Sequence, residues 1–248
     1  MLKEKSIEEL ILNARKISVL TGAGISTDSG IADFRSTAGI WTEDLSRMDV
    51  ISRPFFESQP ETFWQHYKDI FQTKLSSDYQ PNRGHAFLKE LEDQGKDIHI
   101  FTQNVDGLHT KAGSSNVYEL HGTVQTATCP ECEKKYSLEF VNRFEVPACE
   151  GEKSEGVPCE AVLKPDVVLF GDVVHHFSEM YTHVNESDLF LVMGTSLEVY
   201  PVNQVVKDFQ FRTDMIKVLV NKEPTKMDYL FDYTFHSPIG ELVEKLKS

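Results

Sequence analysis

The chain has 248 residues, 40% hydrophobic and 26% charged, which suits one large folded unit with a small satellite and excludes a disordered chain. Its net charge of -14 argues against nucleic acid or an anionic membrane as partner, while tolerating a cationic peptide. No run approaches the roughly 20 apolar residues of a membrane helix, and Met1-Leu2-Lys3-Glu4-Lys5 lacks a signal-peptide apolar stretch, so the cytoplasm is the expected compartment.

Ser6 followed by Glu9 fits a capping box, and Ile7, Leu10, Ile11 and Ala14 share one face of the helix it opens. The apolar run Ile17-Ser18-Val19-Leu20 then reads as a strand. It feeds Thr21-Gly22-Ala23-Gly24-Ile25-Ser26, which reads as a glycine turn and a helix start. Gly22 and Gly24 let a ligand approach the backbone, and the amides of such a turn suit a pyrophosphate. A tight β–α turn would use the same residues. No GK pair follows Gly24 as a triphosphate loop requires, and Gly30 comes too late for the common G-x-G-x-x-G fingerprint. A nucleotide cradle here therefore has a different pattern. Asp33-Phe34-Arg35 adds two charges and a ring where a fold needs none.

A helix is expected from Glu61, with Phe63, Trp64, Tyr67, Ile70 and Phe71 on its aromatic face. Those rings form core, or line a ligand site in an insertion between the first two strands. A further helix from Pro81-Asn82 runs through Leu91 and stops near Gly95. The strand Ile98-His99-Ile100-Phe101 ends in Thr102-Gln103-Asn104-Val105-Asp106-Gly107-Leu108-His109. Gln103, Asn104 and Asp106 are costly to bury without partners, so they form a structural network or meet a sugar or amide. In Tyr118-Glu119-Leu120-His121-Gly122, His121 is a candidate general base, because imidazole titrates near neutrality.

Cys129-Pro130-Glu131-Cys132 follows a short strand over 124–128, and Cys149 and Cys159 make a second, wider pair. Four thiolates suit a closed structural zinc site. A redox pair or free thiols are the alternatives, but a redox CxxC belongs at a helix start in a thioredoxin-like unit. Here Ser137 instead caps a short helix bearing Leu138 and Val141. Beyond it, Val167-Val168-Leu169-Phe170 reads as a strand returning to the main sheet, followed by Gly171-Asp172 and a helix over 178–185. The strand Leu189-Phe190-Leu191-Val192-Met193 ends in Gly194-Thr195-Ser196. Pro201 opens a helix through Phe209. A strand over 215–220 ends in Asn221-Lys222-Glu223-Pro224, and Leu242, Val243 and Leu246 mark a last helix. Apolar strands alternating with helices, each strand finishing in a polar tip, predict an α/β fold with a mostly parallel sheet covered on both faces.

Taken together, these blocks resemble the sirtuin family, the NAD-dependent protein lysine deacylases. The resemblance is carried by Gly22–Ser26, Asp33–Arg35, Thr102–His109, Glu119–Gly122, the cysteines, Lys164–Gly171, Gly194–Pro201 and Asn221–Pro224. It implies a bacterial-type single catalytic core over 1–248, Rossmann-like, with a helical insertion over 36–80 and a zinc module over 124–163. It further implies that Gly22, Ala23, Gly24 and Ser26 hold the NAD phosphates with Gly194, Thr195 and Ser196. Asn221, Lys222 and Glu223 would meet the adenosine side, Gln103 and Asn104 the ribose, and Asp106 the nicotinamide or its ribose. Asp33, Phe34 and Arg35 would cap the reacting sugar. Val168, Phe170, Gly171 and Val199 would line the acyl-lysine tunnel, with Tyr67 also on the substrate side. His121 would accept a proton relayed from the ribose hydroxyls, and Cys129, Cys132, Cys149 and Cys159 would hold zinc away from the chemistry.

Three positions depart from the family pattern. Ala32 stands where a proline is usual, the second cysteine pair is wide, and Ile70 stands three residues after Tyr67 where desuccinylating relatives carry arginine. Without that arginine an acidic acyl group lacks a charge-assisted partner, so acetyl or another neutral acyl group is expected. The expected partners are acylated lysines of proteins or peptides, and no segment marks a subunit interface. Mono-ADP-ribosyl transfer and a non-enzymatic NAD sensor are the competing readings.

Overall fold

The computed structural model describes residues 6–32, 49–76, 78–154 and 156–246. Asp33, Phe34 and Arg35 lie outside the described residues, as do 36–48 and 77 of the stretch 36–80. The described helices and strands run α1 (Ile7–Asn13), β1 (Lys16–Thr21), α2 (Arg53–Ser58), α3 (Pro60–Ser76), α4 (Arg83–Asp93), β2 (Asp97–Thr102), α5 (Leu108–Lys111), β3 (Val117–Glu119), β4 (Gly122–Thr128), β5 (Lys135–Ser137), α6 (Leu138–Asn142), β6 (Glu152–Ser154), β7 (Val157–Pro158), β8 (Lys164–Val167), α7 (Phe177–Glu186), β9 (Leu189–Met193), α8 (Val202–Asp208), β10 (Ile216–Val220), β11 (Tyr233–Phe235) and α9 (Ile239–Leu246).

Six strands form one sheet in the order β11-β10-β9-β1-β2-β3, and every neighbouring pair is parallel. The pleat sends alternate residues to opposite faces. Ile17, Val19, Ile98, Ile100, Leu189 and Leu191 pack against α1, α4 and α9. Leu20, Phe101, Phe190, Val192 and Leu219 pack on the other side against α7 and α8. Both faces of the central strands are thus dry, which is why those strands read as unbroken apolar runs. The register Thr21↔Thr102 and Thr21↔Met193 brings the carboxyl ends of β1, β2 and β9 level, so their polar tips share one edge.

Local chemistry sets the element ends. Ser6 Oγ accepts from Glu9 N at 3.2 Å and opens α1. Asn82 accepts from Gly84 N at 2.9 Å and opens α4. Ser137 accepts from Phe140 N at 3.3 Å, opening α6.

Two expectations are corrected. The segment after Gly22–Ser26 does not start an α-helix; it forms two short 3-10 turns, Ala23–Ile25 and Thr27–Ser29, closed by Gly30 at φ 87°. Short polar side chains divert the backbone there: Thr27 Oγ1 donates to Gly24 O at 3.0 Å, and Asn82 Nδ2 donates to Ile25 O at 2.7 Å. Second, no main-sheet strand forms at 167–170, where beyond Val167 only an isolated Ser52–Phe170 bridge remains: the strand lies earlier, as β8 (Lys164–Val167), which pairs antiparallel with β4 in a separate three-stranded sheet ordered β5-β4-β8. Its alternation explains the placement. Pro165 and Val167 face inward, while Asp166 accepts from Thr126 and, at 2.6 Å, from Thr128. A strand polar on one face does not suit a sheet buried on both.

This small sheet shares one core with α2, α3 and the cysteines. Trp64 Nε1 donates to Leu163 O at 2.7 Å inside it. Tyr67 is only 1% exposed there, against Phe63, Trp64 and Phe71. The aromatic face at helical spacing has thus packed into this core, and Tyr67, expected on the substrate side, sits within it.

Candidate active site

Strand β1 ends against β9. Gly22 N donates to Met193 O at 3.1 Å and Gly24 N to Gly194 O at 2.8 Å. A Cβ on Gly22 would lie 2.7 Å from Thr195 Cβ, and one on Gly24 would lie 2.8 Å from Gly194 Cα. The glycines are needed because two backbones touch at the crossing. Gly194 itself has φ 65°, where a side chain would be strained. The phosphate reading loses its helix terminus, since 3-10 turns stand where an α-helix was expected to start, and rests on the turn and its neighbours alone.

The tip of β2 locks onto both partners. Gln103 Nε2 donates to Thr195 Oγ1 at 3.0 Å, and Asn104 Nδ2 donates to Gly22 O at 3.2 Å and to Ser26 Oγ at 3.0 Å. The Ser26 hydroxyl donates in turn to Asp106 Oδ2 at 2.8 Å, and Leu108 N donates to Asp106 Oδ1 at 3.0 Å. Gln103, Asn104, Asp106, Ser26 and Thr195 therefore form one network with the backbone of Gly22. The cost of placing these polar groups at a sheet edge is met by mutual hydrogen bonds.

Beneath the network lie two histidines to which no role was assigned from the sequence. His85 and His109 are almost wholly buried, with ring centroids 4.8 Å apart. His109 Nε2 lies 3.0 Å from Thr21 Oγ1, and His85 Nε2 lies 3.5 Å from Ser26 Oγ. Burial pushes the His85 imidazole down to about 4 against the opposing pull of Asp106, and pushes His109 well below its ordinary value. Both are neutral props of the crevice. Asn82, three residues before His85 at the helix start, was the available signal, since that spacing is a capping box.

His121 follows β3. Its Nδ1 lies 3.0 Å from Gln103 O, and a carbonyl only accepts, so Nδ1 carries the proton and neutral His121 keeps a lone pair on Nε2. Burial lowers its pKa, the Gln103 carbonyl opposes this, and His175 lowers it further. Gly122, at φ 72°, makes the following turn, and a Cβ there would lie 1.9 Å from Asp166 O. Backbone bonds from Val168 N to His121 O at 2.8 Å and from His175 N to Leu120 O at 3.0 Å clamp the turn.

The same segment builds a loop. Asp172 N donates to Leu169 O at 2.9 Å across Phe170 and Gly171, and Gly171 has φ 98°. Phe170 is 48% exposed at its crest. Asp172 anchors the loop by accepting from Lys164 Nζ at 2.9 Å, Arg53 Nη1 at 3.2 Å and Leu169 N at 3.0 Å. Burial would raise the Asp172 carboxyl, and these donors hold it below its ordinary value instead. Val168 is half-buried where the segment leaves β8, while Val199 lies between Leu197 and α8. At the tip of β10, Asn221 Nδ2 donates to Glu223 O at 2.7 Å, and Lys222 and Glu223 are exposed, like Ser196 beyond β9.

Far along the small sheet, Cys129, Cys132, Cys149 and Cys159 place their sulfurs within 4.8 Å of one another. The Cys129–Cys159 and Cys132–Cys149 separations are 3.5 and 3.4 Å. A tetrahedral Zn–S length of about 2.3 Å calls for sulfurs about 3.8 Å apart, so this all-thiol set fits zinc.

The family model described as "Sir2 family" matches residues 22–201. A protein of Bacillus subtilis named NAD-dependent protein deacetylase is 51% identical over 242 residues, covering 98% of each chain. One of the same name from Chromobacterium violaceum is 46% identical over 98% of this chain and 96% of its own. Among solved structures, a Sir2 complex with a p53 peptide and NAD+ has TM-score 0.82 at 31% identity, covering 99% of this chain and 97% of that one. A Sir2 variant with a deacetylated p53 peptide and 3'-O-acetyl ADP ribose has TM-score 0.85 at 32% identity, covering 96% and 95%. The chain belongs to the Sir2 family, the sirtuins.

Proposed function

We infer that this protein is an NAD-dependent protein lysine deacetylase, moving the acetyl group of acetyl-lysine to ADP-ribose with release of nicotinamide. One observation carries the residue-level reading. The network of Gln103, Asn104, Asp106 and Ser26 joins the β1–β9 crossing, and the Gln103 carbonyl in turn fixes the His121 tautomer. NAD, when bound, supplies a reactive glycosidic bond to the positively charged nicotinamide.

The chain supplies orientation, water exclusion and one base. Gly22, Ala23, Gly24 and Ser26 would hold the phosphates with Gly194, Thr195 and Ser196, while Asn221, Lys222 and Glu223 would meet the adenosine. Gln103 and Asn104 would orient the ribose through amides already braced on Thr195 and Gly22. Asp106, held by Ser26 and the Leu108 amide, would receive the nicotinamide amide. His121 would take a ribose hydroxyl proton on Nε2. Phe170 and Gly171, on their anchored loop, would border the acyl-lysine with Val168 and Val199. Asp33, Phe34 and Arg35 would close over the reacting sugar. Zinc on the four cysteines would brace the small sheet without touching the reaction. Among the described residues no helix is long and apolar enough to cross a membrane, and we place the enzyme's action in the cytoplasm.

The product identifies the reaction. Incubation with NAD and an acetyl-lysine peptide should yield free lysine, nicotinamide and O-acetyl-ADP-ribose by mass spectrometry. ADP-ribose retained on protein, without the acetylated sugar, would make the enzyme a mono-ADP-ribosyltransferase instead.

A further inference from the structure

The two cysteine pairs are not equivalent. Within the tight first pair, Cys129 Sγ accepts from Glu131 N and Cys132 N, both at 3.4 Å. A CxxC turn delivers those two amides automatically. Cys149 has no such turn, because Cys159 follows ten positions later and the hairpin of β6 and β7 fills the interval. From its own loop Cys149 Sγ receives Gly151 N at 3.2 Å.

A second donor comes from β5. Tyr136 Oη lies 3.1 Å from Cys149 Sγ. Glu150 N donates to the same oxygen at 2.6 Å, which leaves the hydroxyl proton for the sulfur. The ring is buried and packs on Phe140 at 4.4 Å between centroids. Its register opposite Ala127, two residues before Cys129, ties it to the strand that carries the first pair. Four thiolates around one zinc dication carry a net charge of about -2, within a chain already at -14. A neutral O–H donor relieves that charge density without adding a cation.

We propose that Tyr136 is a positioning residue of the zinc site, its hydroxyl supplying Cys149 with the hydrogen bond that the wide Cys149–Cys159 spacing omits. This rests on the zinc reading above. Outer-shell partners of this kind are worth about 10–100-fold in metal affinity.

Tyr136→Phe in the full chain keeps the ring and removes the donor. Zinc content by elemental analysis should be one per chain in the parent, and transfer of zinc to a chromogenic chelator should be about 10–100-fold faster in the variant. With cobalt in place of zinc, the sulfur-to-metal charge-transfer band should move to lower energy, because a thiolate that loses a hydrogen bond gives up its electron more easily. Phe140→Leu, which loosens the packing but retains the hydroxyl, should leave that band in place. A zinc-containing parent with unchanged release and an unmoved band in Tyr136→Phe overturns the proposal alone. An equal band shift in both variants assigns the effect to packing and also overturns it. A parent without zinc overturns the zinc reading and the proposal together.

Discussion

His121 Nδ1 lies 3.0 Å from the carbonyl oxygen of Gln103, so the tip of one strand sets the tautomer of the proposed base that follows the next. Only neutral His121 can accept a proton. Burial displaces its pKa downward, His175 adds to this, and the Gln103 carbonyl only partly opposes it. The acid limb of kcat/KM for an acetyl-lysine peptide should therefore lie below the ordinary histidine value of about 6.5. A limb at or above that value would show that the Gln103 bond outweighs burial.

Gly122 sets where His121 stands. Its φ of 72° disfavours a side chain, and an alanine Cβ would sit 1.9 Å from Asp166 O, which is backbone and cannot swing aside. Gly122→Ala should cost at least about 3 kcal/mol and separate β4 from β8 locally. Urea unfolding measures the loss. A change under about 1 kcal/mol would mean the turn relaxes freely.

The buried pair His85 and His109 links stability to pH. Their folded pKa values are depressed, to about 4 for His85, while unfolded histidines titrate near about 6.5. Below about 6.5 the unfolded chain gains protons that the native state refuses. The stability is therefore complete above that pH and declines as pH falls toward about 4, by about 1.4 kcal/mol per unit for each histidine. Unfolding between pH 7.5 and 5.0 should show this slope, and His85→Gln should flatten it by one proton.

The proposed preference for a neutral acyl group rests on the aromatic helix. Tyr67 and Ile70 are both buried in the satellite core, 1% and 8% exposed, and neither offers a charge to a distal carboxylate. On one peptide sequence, acetyl-lysine should turn over at least about tenfold faster than succinyl-lysine, the scale of one charge-assisted bond. Equal or faster desuccinylation would place a cation at the acyl end.

How legible this was depended on the range of the interactions. Strand Leu189–Met193, dry on both faces, was readable to the residue because an unbroken apolar run bounded by polar ends has few other uses. Val117–Glu119 and Tyr233–Phe235 were missed: each is three residues long and only half-buried, so neither periodicity nor hydrophobicity marks it. The strand expected at 167–170 lies instead at Lys164–Val167, and neither its bounds nor its sheet was legible, since Asp166 finds Thr126 and Thr128 from about forty positions away. The crevice shows the same limit. Ser26, Asn104 and Asp106 stood out as polar residues at strand tips, yet the Ser26–Asp106 bond spans 80 positions and exists only because parallel strands align their ends. His85 carried only a helix-start signal, and Tyr67 only an aromatic face, which suits core and ligand site equally.

The most direct test is nicotinamide release from NAD, with and without an acetyl-lysine peptide, in the parent and in His121→Ala, with NAD binding and thermal unfolding followed in parallel. Release that requires the acetylated peptide in the parent, and deacetylated product lost by at least about a hundredfold in the folded, NAD-binding variant, is the expected result. Release independent of acetyl-lysine, or product formation unchanged in His121→Ala, would contradict it.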